Sequence, residues 1–286
     1  MKKMFAYIMA AALLAIGLTG CGGANTEGGG KINVVSREDG SGTRGAFIEL
    51  FGVEEKDANG EKVDMTLDAA EITNSTSVMM TSVAGSKSSI GYISLGSLND
   101  TVKALKIEGV APSVAAIKDG SYAISRPFNI AVGANVSEAA KDFMAFIMSA
   151  QGQAVVEGKG YIAVESSGAY SATAAGGKVV VAGSSSVTPV MEALKEAYQA
   201  VNPGVEVEIQ QSDSSAGMTG AIDETCDIGM ASRELKDSEL AQLTATQIAL
   251  DGIAVIVNKE NPTVSLTTDQ VRAVFTGRAT SWSEVQ

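Results

Sequence analysis

Residues 36–45 read SREDGSGTRG and directly follow the apolar run 32–35. An arginine, small hydroxyl residues and glycines at the handover from strand to helix suit one kind of chemistry, the holding of a small anion. A helix start offers unpaired backbone N–H groups and the positive end of the helix dipole. Glycines let an anion approach the backbone, and Ser and Thr hydroxyls add donors without adding charge. Three more loops share the design: GSSSVTP (183–189), SDSSAGMTG (212–220) and ASREL (231–235). Any one of them is explained by an ordinary helix cap after a tight turn. Together they hold more hydroxyls than caps require, SSS and SGT above all.

Two sharper chemistries compete. Gly40, Gly42 and Gly45 satisfy G-x-G-x-x-G, the dinucleotide fingerprint. That fingerprint wants its first glycine almost directly after the strand and an acid closing a second apolar strand. Here Arg37, Glu38 and Asp39 intervene, and Asp64 sits in GEKVDMTL, a poor strand. A nucleophilic serine would need a base. The chain has no histidine, which removes the usual base near neutral pH and the commonest zinc ligand. No S-x-x-K motif stands near these loops. No catalytic residue, metal ligand or cofactor is assigned.

The elements that position the loops follow from periodicity. Runs at 32–35, 90–94 and 128–132 read as strands alternating with helices, the clearest helix being 138–157 with Phe143, Phe146 and Ile147 on one face. Further on, 178–182 reads as a strand, 189–201 as a helix with proline in its first turn, 205–210 as an alternating strand and 253–257 as a buried strand. This order implies a doubly wound α/β architecture. Residues 22–30 (GGANTEGGG) read as a flexible tether and 166–177 (SSGAYSATAAGG) as a small-residue linker.

At 286 residues, 45% of them apolar, the chain suffices for one large or two medium domains. Lys2 and Lys3 precede an apolar stretch, 4–18, too short for a permanent span, so 1–20 reads as an export signal. It runs into Leu-Thr-Gly-Cys21, similar to a bacterial lipobox, which makes Cys21 the expected lipidation site and 21–30 the tether to a membrane. Cys226 is the other cysteine and reads as a small core residue, leaving no intramolecular disulfide in the mature chain. Loss of Lys2 and Lys3 leaves 19 basic against 33 acidic side chains, a formal charge of −14. Such a surface argues against nucleic acid as a partner.

The segments VVSREDGSGTRGAF, GSSSVTP, QQSDSSAGMTGAI and DIGMASREL, with IGYISLG, IEGVAPS, DGSYAISRPFNI and FTGRATSWSEV, resemble the phosphate-binding lipoproteins of bacterial ABC phosphate importers. The resemblance covers nearly the whole mature chain. It implies an α/β, two-domain fold of the periplasmic-binding-protein type (type II) with the ligand cleft between the domains. It also implies a monomer anchored by lipid on the extracytoplasmic face of the cell membrane, delivering inorganic phosphate to the permease subunits of an ABC importer. In that family a dehydrated phosphate is held by one arginine, hydroxyls and helix N-terminal amides. Carried over by motif, these are Arg37, Ser41, Gly42 and Thr43 from one domain and Ser185, Ser186 and Ser214 from the other. Ser232 stands where some members carry an aspartate that accepts the phosphate proton. Asp39 is expected to orient Arg37, and Asp39 or Glu38 to accept that proton and so reject sulfate. Arg233 is expected to turn to solvent or to Glu234. A receptor for another tetrahedral oxyanion (sulfate, molybdate) and a secreted serine-dependent phosphohydrolase stay open as alternatives.

The segment order is inverted relative to that family, where GSSSVTP follows the signal peptide and SREDGSGTR comes mid-chain, after the segment ending SWSEV. The chain therefore reads as a circular permutant in which 166–177 joins what are usually free termini. The alternative is a rearranged or fragmentary product that cannot close its second domain. Crossovers near 125–128 and 250–253 then give one contiguous domain, 127–252, and one split domain, 31–126 plus 253–286.

Overall fold

The structure, a computed structural model, describes residues 30–285; the export signal, Cys21 and the tether up to residue 29 lie outside them. The principal strands are β1 (Asn33–Arg37), β2 (Glu71–Thr73), β3 (Ser89–Ser94), β4 (Ser125–Val132), β5 (Gly177–Ser184), β6 (Val205–Ser212), β7 (Ile228–Ala231) and β8 (Thr244–Asn258). The principal helices are α1 (Gly42–Leu50), α2 (Thr76–Gly85), α3 (Glu138–Met148), α4 (Ala150–Gly158), α5 (Thr188–Val201), α6 (Ser214–Ile222) and α7 (Thr268–Phe275).

These strands pair in the order β6-β5-β7-β4-β8-β3-β1-β2 within a 10-stranded sheet, and the short strands Val102–Ala104 and Ile162–Ala163 both pair with β8. β1 is parallel to β2 and β3, and β5 is parallel to β6 and β7. The centre departs from the doubly wound expectation: β7–β4, β4–β8 and β8–β3 are all antiparallel. The cause is β8, a 15-residue strand of which only 253–257 is legible as a buried run. Its first part pairs with β4 and its second with β3, so one strand serves both halves of the sheet.

Two apolar cores flank that crossing. One contains Ile32, Phe47, Tyr92 and Ile124 together with Ile253, Phe275 and Trp282. The other contains Phe128, Phe143, Phe146, Tyr198, Val205 and Ile248. We call the two halves the first and second lobe. Pro stands in the first turn of α5, where a missing N–H costs nothing, and Val190, Met191, Leu194 and Tyr198 put its apolar stripe into the second core. Side chains buried this fully contribute about 1.5–3 kcal/mol each. Cys226 lies in a satellite cluster of that lobe as a free thiol, which burial pushes up to about 11.

The helix expected over 138–157 is two helices. Ser149 ends α3 and starts α4: its hydroxyl donates to the Phe146 carbonyl at 2.6 Å and accepts from Gly152 N–H at 3.1 Å. Serine competes with the helical ladder in this way, and here it wins. Nor is 166–177 slack. Asp142 on α3 is fully buried and receives Tyr170 Oη and Tyr198 Oη at 2.7 Å each, and Thr173 N–H at 2.6 Å. Thr173 Oγ1 at 2.7 Å and Asn202 Nδ2 at 2.9 Å complete the set. Burial pushes the Asp142 carboxyl up, and these hydrogen bonds outweigh it and hold the group well below the carboxylate range. At the other seam, Ile32 N–H donates to the Thr280 carbonyl at 2.8 Å and Trp282 N–H to the Gly30 carbonyl at 3.1 Å, so residues 30–32 and 280–282 are side by side.

Candidate functional site

In open α/β sheets, ligands are met at the carboxyl ends of parallel strands. β1, β2, β5 and β6 each end in a short hydroxyl-bearing loop that starts α1, α2, α5 and α6, and the loops of the two lobes face each other.

Arg37 closes β1 with 2% of its side chain exposed. Glu38 holds it along one edge, accepting from Nε at 2.8 Å and from Nη2 at 2.6 Å. Nη2 also reaches the second lobe, donating to Ser185 Oγ at 3.1 Å. The Arg37 backbone N–H donates to Tyr92 Oη at 3.2 Å, and that phenol, pushed up to about 12 by burial, also bonds Ser36 Oγ at 2.8 Å. Thr43 Oγ1 lies 2.8 Å from Ser186 Oγ. Thr76 Oγ1 lies 3.2 Å from Ser186 Oγ and 3.4 Å from Ser185 Oγ. Arg37, Thr43 and Thr76 of the first lobe thus meet Ser185 and Ser186 of the second, all buried.

A second set adjoins it. Ser184 Oγ donates to Ser232 Oγ at 2.9 Å, and Ser232 N–H donates to Ser214 Oγ at 3.1 Å. Gly42 connects the sets: a Cβ there would stand 2.4 Å from Ser214 Oγ and 2.8 Å from Ser232 Oγ, so a side chain at the start of α1 would hold the lobes apart. Gly40 is equally close to Asp213, and its carbonyl accepts Ser215 N–H at 3.1 Å across the lobes.

Several expectations need correction. Asp39 does not orient Arg37; its side chain is 96% exposed and bonds Arg44 Nη1 at 2.8 Å, because the turn after β1 points residue 38 inward and residue 39 out. The orienting carboxylate is Glu38. Ser41 caps its own helix, accepting from Arg44 N–H at 3.3 Å. Arg233 does not face solvent; Glu239 accepts from both of its Nη atoms at 2.8 Å, although Nη1 also bonds the Glu234 carbonyl at 2.9 Å. Asp64, set aside with its poor strand, ends the three-residue strand Lys62–Asp64 and accepts from Arg44 Nε at 2.7 Å. Arg44 Nη1 in turn donates to the Arg37 carbonyl at 2.7 Å, so Asp64 and Arg44 brace the loop from behind. Burial raises the Asp64 carboxyl, and Thr66 and Arg44 pull it below its usual value.

Thr76 is the site residue that sequence reasoning missed. Its loop, ITNSTS, has the same strand, hydroxyl cluster, helix design: Ser75 caps α2 by accepting from Val78 N–H at 3.3 Å. Chemically, the arrangement offers directed neutral donors around one arginine whose charge Glu38 largely balances, which suits a small oxyanion. Among the described residues no site hydroxyl is bonded to a carboxylate or a lysine, so none of these serines has an activating base.

Comparisons with known proteins agree with this architecture. A sequence model of the PBP superfamily domain matches residues 24–151 and 168–286. The phosphate-binding protein PstS 2 of Streptococcus agalactiae serotype V is 58% identical over 99% of this chain and 98% of its own length. PstS 2 of Streptococcus pneumoniae serotype 4 is 43% identical over 100% and 99%. The crystal structure of a phosphate-binding protein of a phosphate ABC transporter from S. pneumoniae TIGR4 superposes with a TM-score of 0.70 at 46% identity, covering 90% of this chain and 100% of that one. These matches run nearly end to end, so the segment order is one this chain shares with its streptococcal relatives. The chain therefore belongs to the PBP superfamily and, within it, to the family of the phosphate-binding proteins that it matches along its whole length.

Proposed function

We propose that the chain captures inorganic phosphate outside the cytoplasm and delivers it to the membrane subunits of an ABC importer, acting as a binding protein and not as an enzyme. The observation that carries the reading is the meeting of Arg37, Thr43 and Thr76 with Ser185 and Ser186 across the two lobes. Gly42, Ser214 and Ser232 complete the ligand shell, with Ser41 serving through its helix start. The names of the end-to-end relatives support phosphate as the anion. In this reading Cys21 carries a lipid, the protein is a monomer, and the chain is a circular permutant whose split lobe is 31–126 plus 253–286. The pairing of 30–32 with 280–282 supports that last point. The test is calorimetric titration of the domain lacking residues 1–21 with phosphate, sulfate and molybdate. One site for phosphate, with much weaker heats for the others, is expected; preference for sulfate or molybdate would reassign the receptor, and turnover of phosphomonoesters would reassign the class.

A further inference from the structure

Besides the hydroxyl cluster, the lobes touch at a second place, built on bare backbone. The turn Leu95–Ser97 follows β3 in the first lobe. A Cβ on Gly96 would lie 2.3 Å from Cε1 and 2.3 Å from Cζ of Tyr161, whose ring belongs to the core of the second lobe. The ring is seated on the Gly96 backbone. Gly96 is not in the left-handed region, so its neighbour, and not the turn, demands glycine.

This contact is at the pivot. Gly96 N–H donates to Asp251 Oδ1 at 3.3 Å, and Asp251 Oδ2 accepts from Arg126 Nη2 at 3.2 Å. Arg126 and Asp251 are register partners where β4 and β8 pass between lobes: Ile124 and Ile253 lie in one core, Phe128 and Ala249 in the other. Tyr161 directly precedes the short strand that pairs with Ala249 and Leu250. One residue beyond Gly96, Ser97 lines the groove bordered by Thr76 and Ser185. The turn thus runs from the pivot to the rim of the hydroxyl cluster.

We propose that Tyr161 resting on Gly96 is the stop that sets how far the lobes close, which makes both of them positioning residues for the bound oxyanion. Hydrogen bonds weaken steeply with distance and angle, and packed groups resist compression, so a few tenths of an ångström at the pivot decide whether donors of both lobes reach one small anion together. The inference takes its affinity readout from the phosphate reading above.

The experiment compares the wild type, Gly96→Ala, Tyr161→Leu, the Gly96→Ala/Tyr161→Leu double variant and Gly96→Ala/Tyr161→Phe, each checked by thermal melting. Phosphate affinity is measured by calorimetry and the radius of gyration by small-angle scattering with and without inorganic phosphate. Gly96→Ala is expected to weaken phosphate binding about tenfold or more and to abolish the phosphate-induced contraction. Tyr161→Leu in the same chain should restore both, and Tyr161→Phe, which keeps the ring, should restore neither. Unchanged affinity in Gly96→Ala, or a loss that Tyr161→Leu fails to repair, overturns the proposal. If Gly96→Ala does not fold, Tyr161→Leu alone decides: about tenfold faster phosphate release with unchanged association supports the stop, and unchanged release overturns it. If the wild type binds no phosphate, the phosphate reading fails, and the scattering arm still tests the stop. Gly96→Ala should then be more expanded than the wild type and the double variant should not; equal radii overturn the proposal.

Discussion

Arg37 and Arg126 are equally buried, each with 2% of its side chain exposed, and each faces a carboxylate, yet the two pairs are built for different ends. Glu38 is the next residue along from Arg37, binds it by two atoms and stays 21% exposed at the mouth of the cleft. Nη2, which serves Glu38 with one N–H, addresses the second lobe with the other through its contact with Ser185. Asp251 is 125 residues from Arg126, is 1% exposed and bonds it through one atom only, and among the described residues no group accepts from Arg126 Nε or Nη1. The first pair holds a cation in place for something else to use, and the second joins two strands. The difference shows that neither burial of an arginine nor spare donors mark a ligand site, since Arg126 keeps two donors unserved; what sets Arg37 apart is its reach to a hydroxyl at a helix start of the other lobe.

The largest effect expected from breaking this comparison is on stability. Asp251→Asn leaves Arg126 without a counter-charge between the lobes, which should cost about 3–5 kcal/mol in urea unfolding, whereas Arg126→Met/Asp251→Leu should cost clearly less because no orphaned charge remains. A double variant as unstable as Asp251→Asn would mean that the pair does more than cancel charge.

Arg37→Ala should act on affinity instead. Loss of the cation from a cleft shielded from water is expected to weaken phosphate binding by roughly 2–5 kcal/mol, about 30-fold to several thousand-fold by calorimetry. Glu38 would then be a carboxylate with water at hand, so the melting temperature should fall less than for Asp251→Asn. Equal stability losses in the two variants would erase the distinction drawn above.

A third carboxylate sharpens the contrast, because Asp142 is served by hydroxyls, an amide and a backbone N–H, with no arginine. Its carboxyl is held well below its ordinary value of 3.8 once those hydrogen bonds outweigh burial. A group lowered in this way adds stability that is fully present above about pH 4 and is lost as the pH falls through the folded-state value. Asp142→Asn should therefore cost about 2–3 kcal/mol at pH 7, and its deficit against wild type should shrink as acid is added. The same variant should expose 166–177 to protease. A deficit independent of pH would show that the carboxylate's charge is irrelevant there.

How far sequence reached depended on range. The strand, hydroxyl cluster, helix design is local, so it marked the loops, and the family resemblance then assigned Arg37, Thr43, Ser185, Ser186, Ser214 and Ser232 within them, all of which the structure brings to the meeting of the lobes. It overlooked Thr76 because β2 is only EIT, too short to show a period, so its loop lacked the strand that made the others visible. The break at Ser149 was written in the sequence as serine followed three places on by Gly152, but the apolar period continues through it. The partnership of Arg126 with Asp251 was out of reach, since it depends on the register of two strands far apart in the chain. The choice between Glu38 and Asp39 failed for the opposite reason: the two are neighbours, and only the turn's geometry assigns one inward and one outward.

That last choice gives the smallest predicted effect. Asp39→Ala removes a side chain that is 96% exposed and whose partner, Arg44, keeps Asp64 and the Arg37 carbonyl as acceptors. An exposed ion pair contributes about 0–1 kcal/mol, so phosphate affinity should change by no more than about twofold and stability by less than that bound. The contrast with Arg37→Ala is then one of position along a turn, since residues 37 and 39 are two apart. If Asp39 did accept the phosphate proton, Asp39→Ala would instead weaken phosphate binding more than tenfold while leaving sulfate binding unchanged or stronger, because the carboxylate repels only the fully ionised anion. Parallel titrations of the variant with phosphate and sulfate separate the two outcomes, and a selective loss of phosphate would return Asp39 to the site and force the loop of residues 37–41 to move on binding.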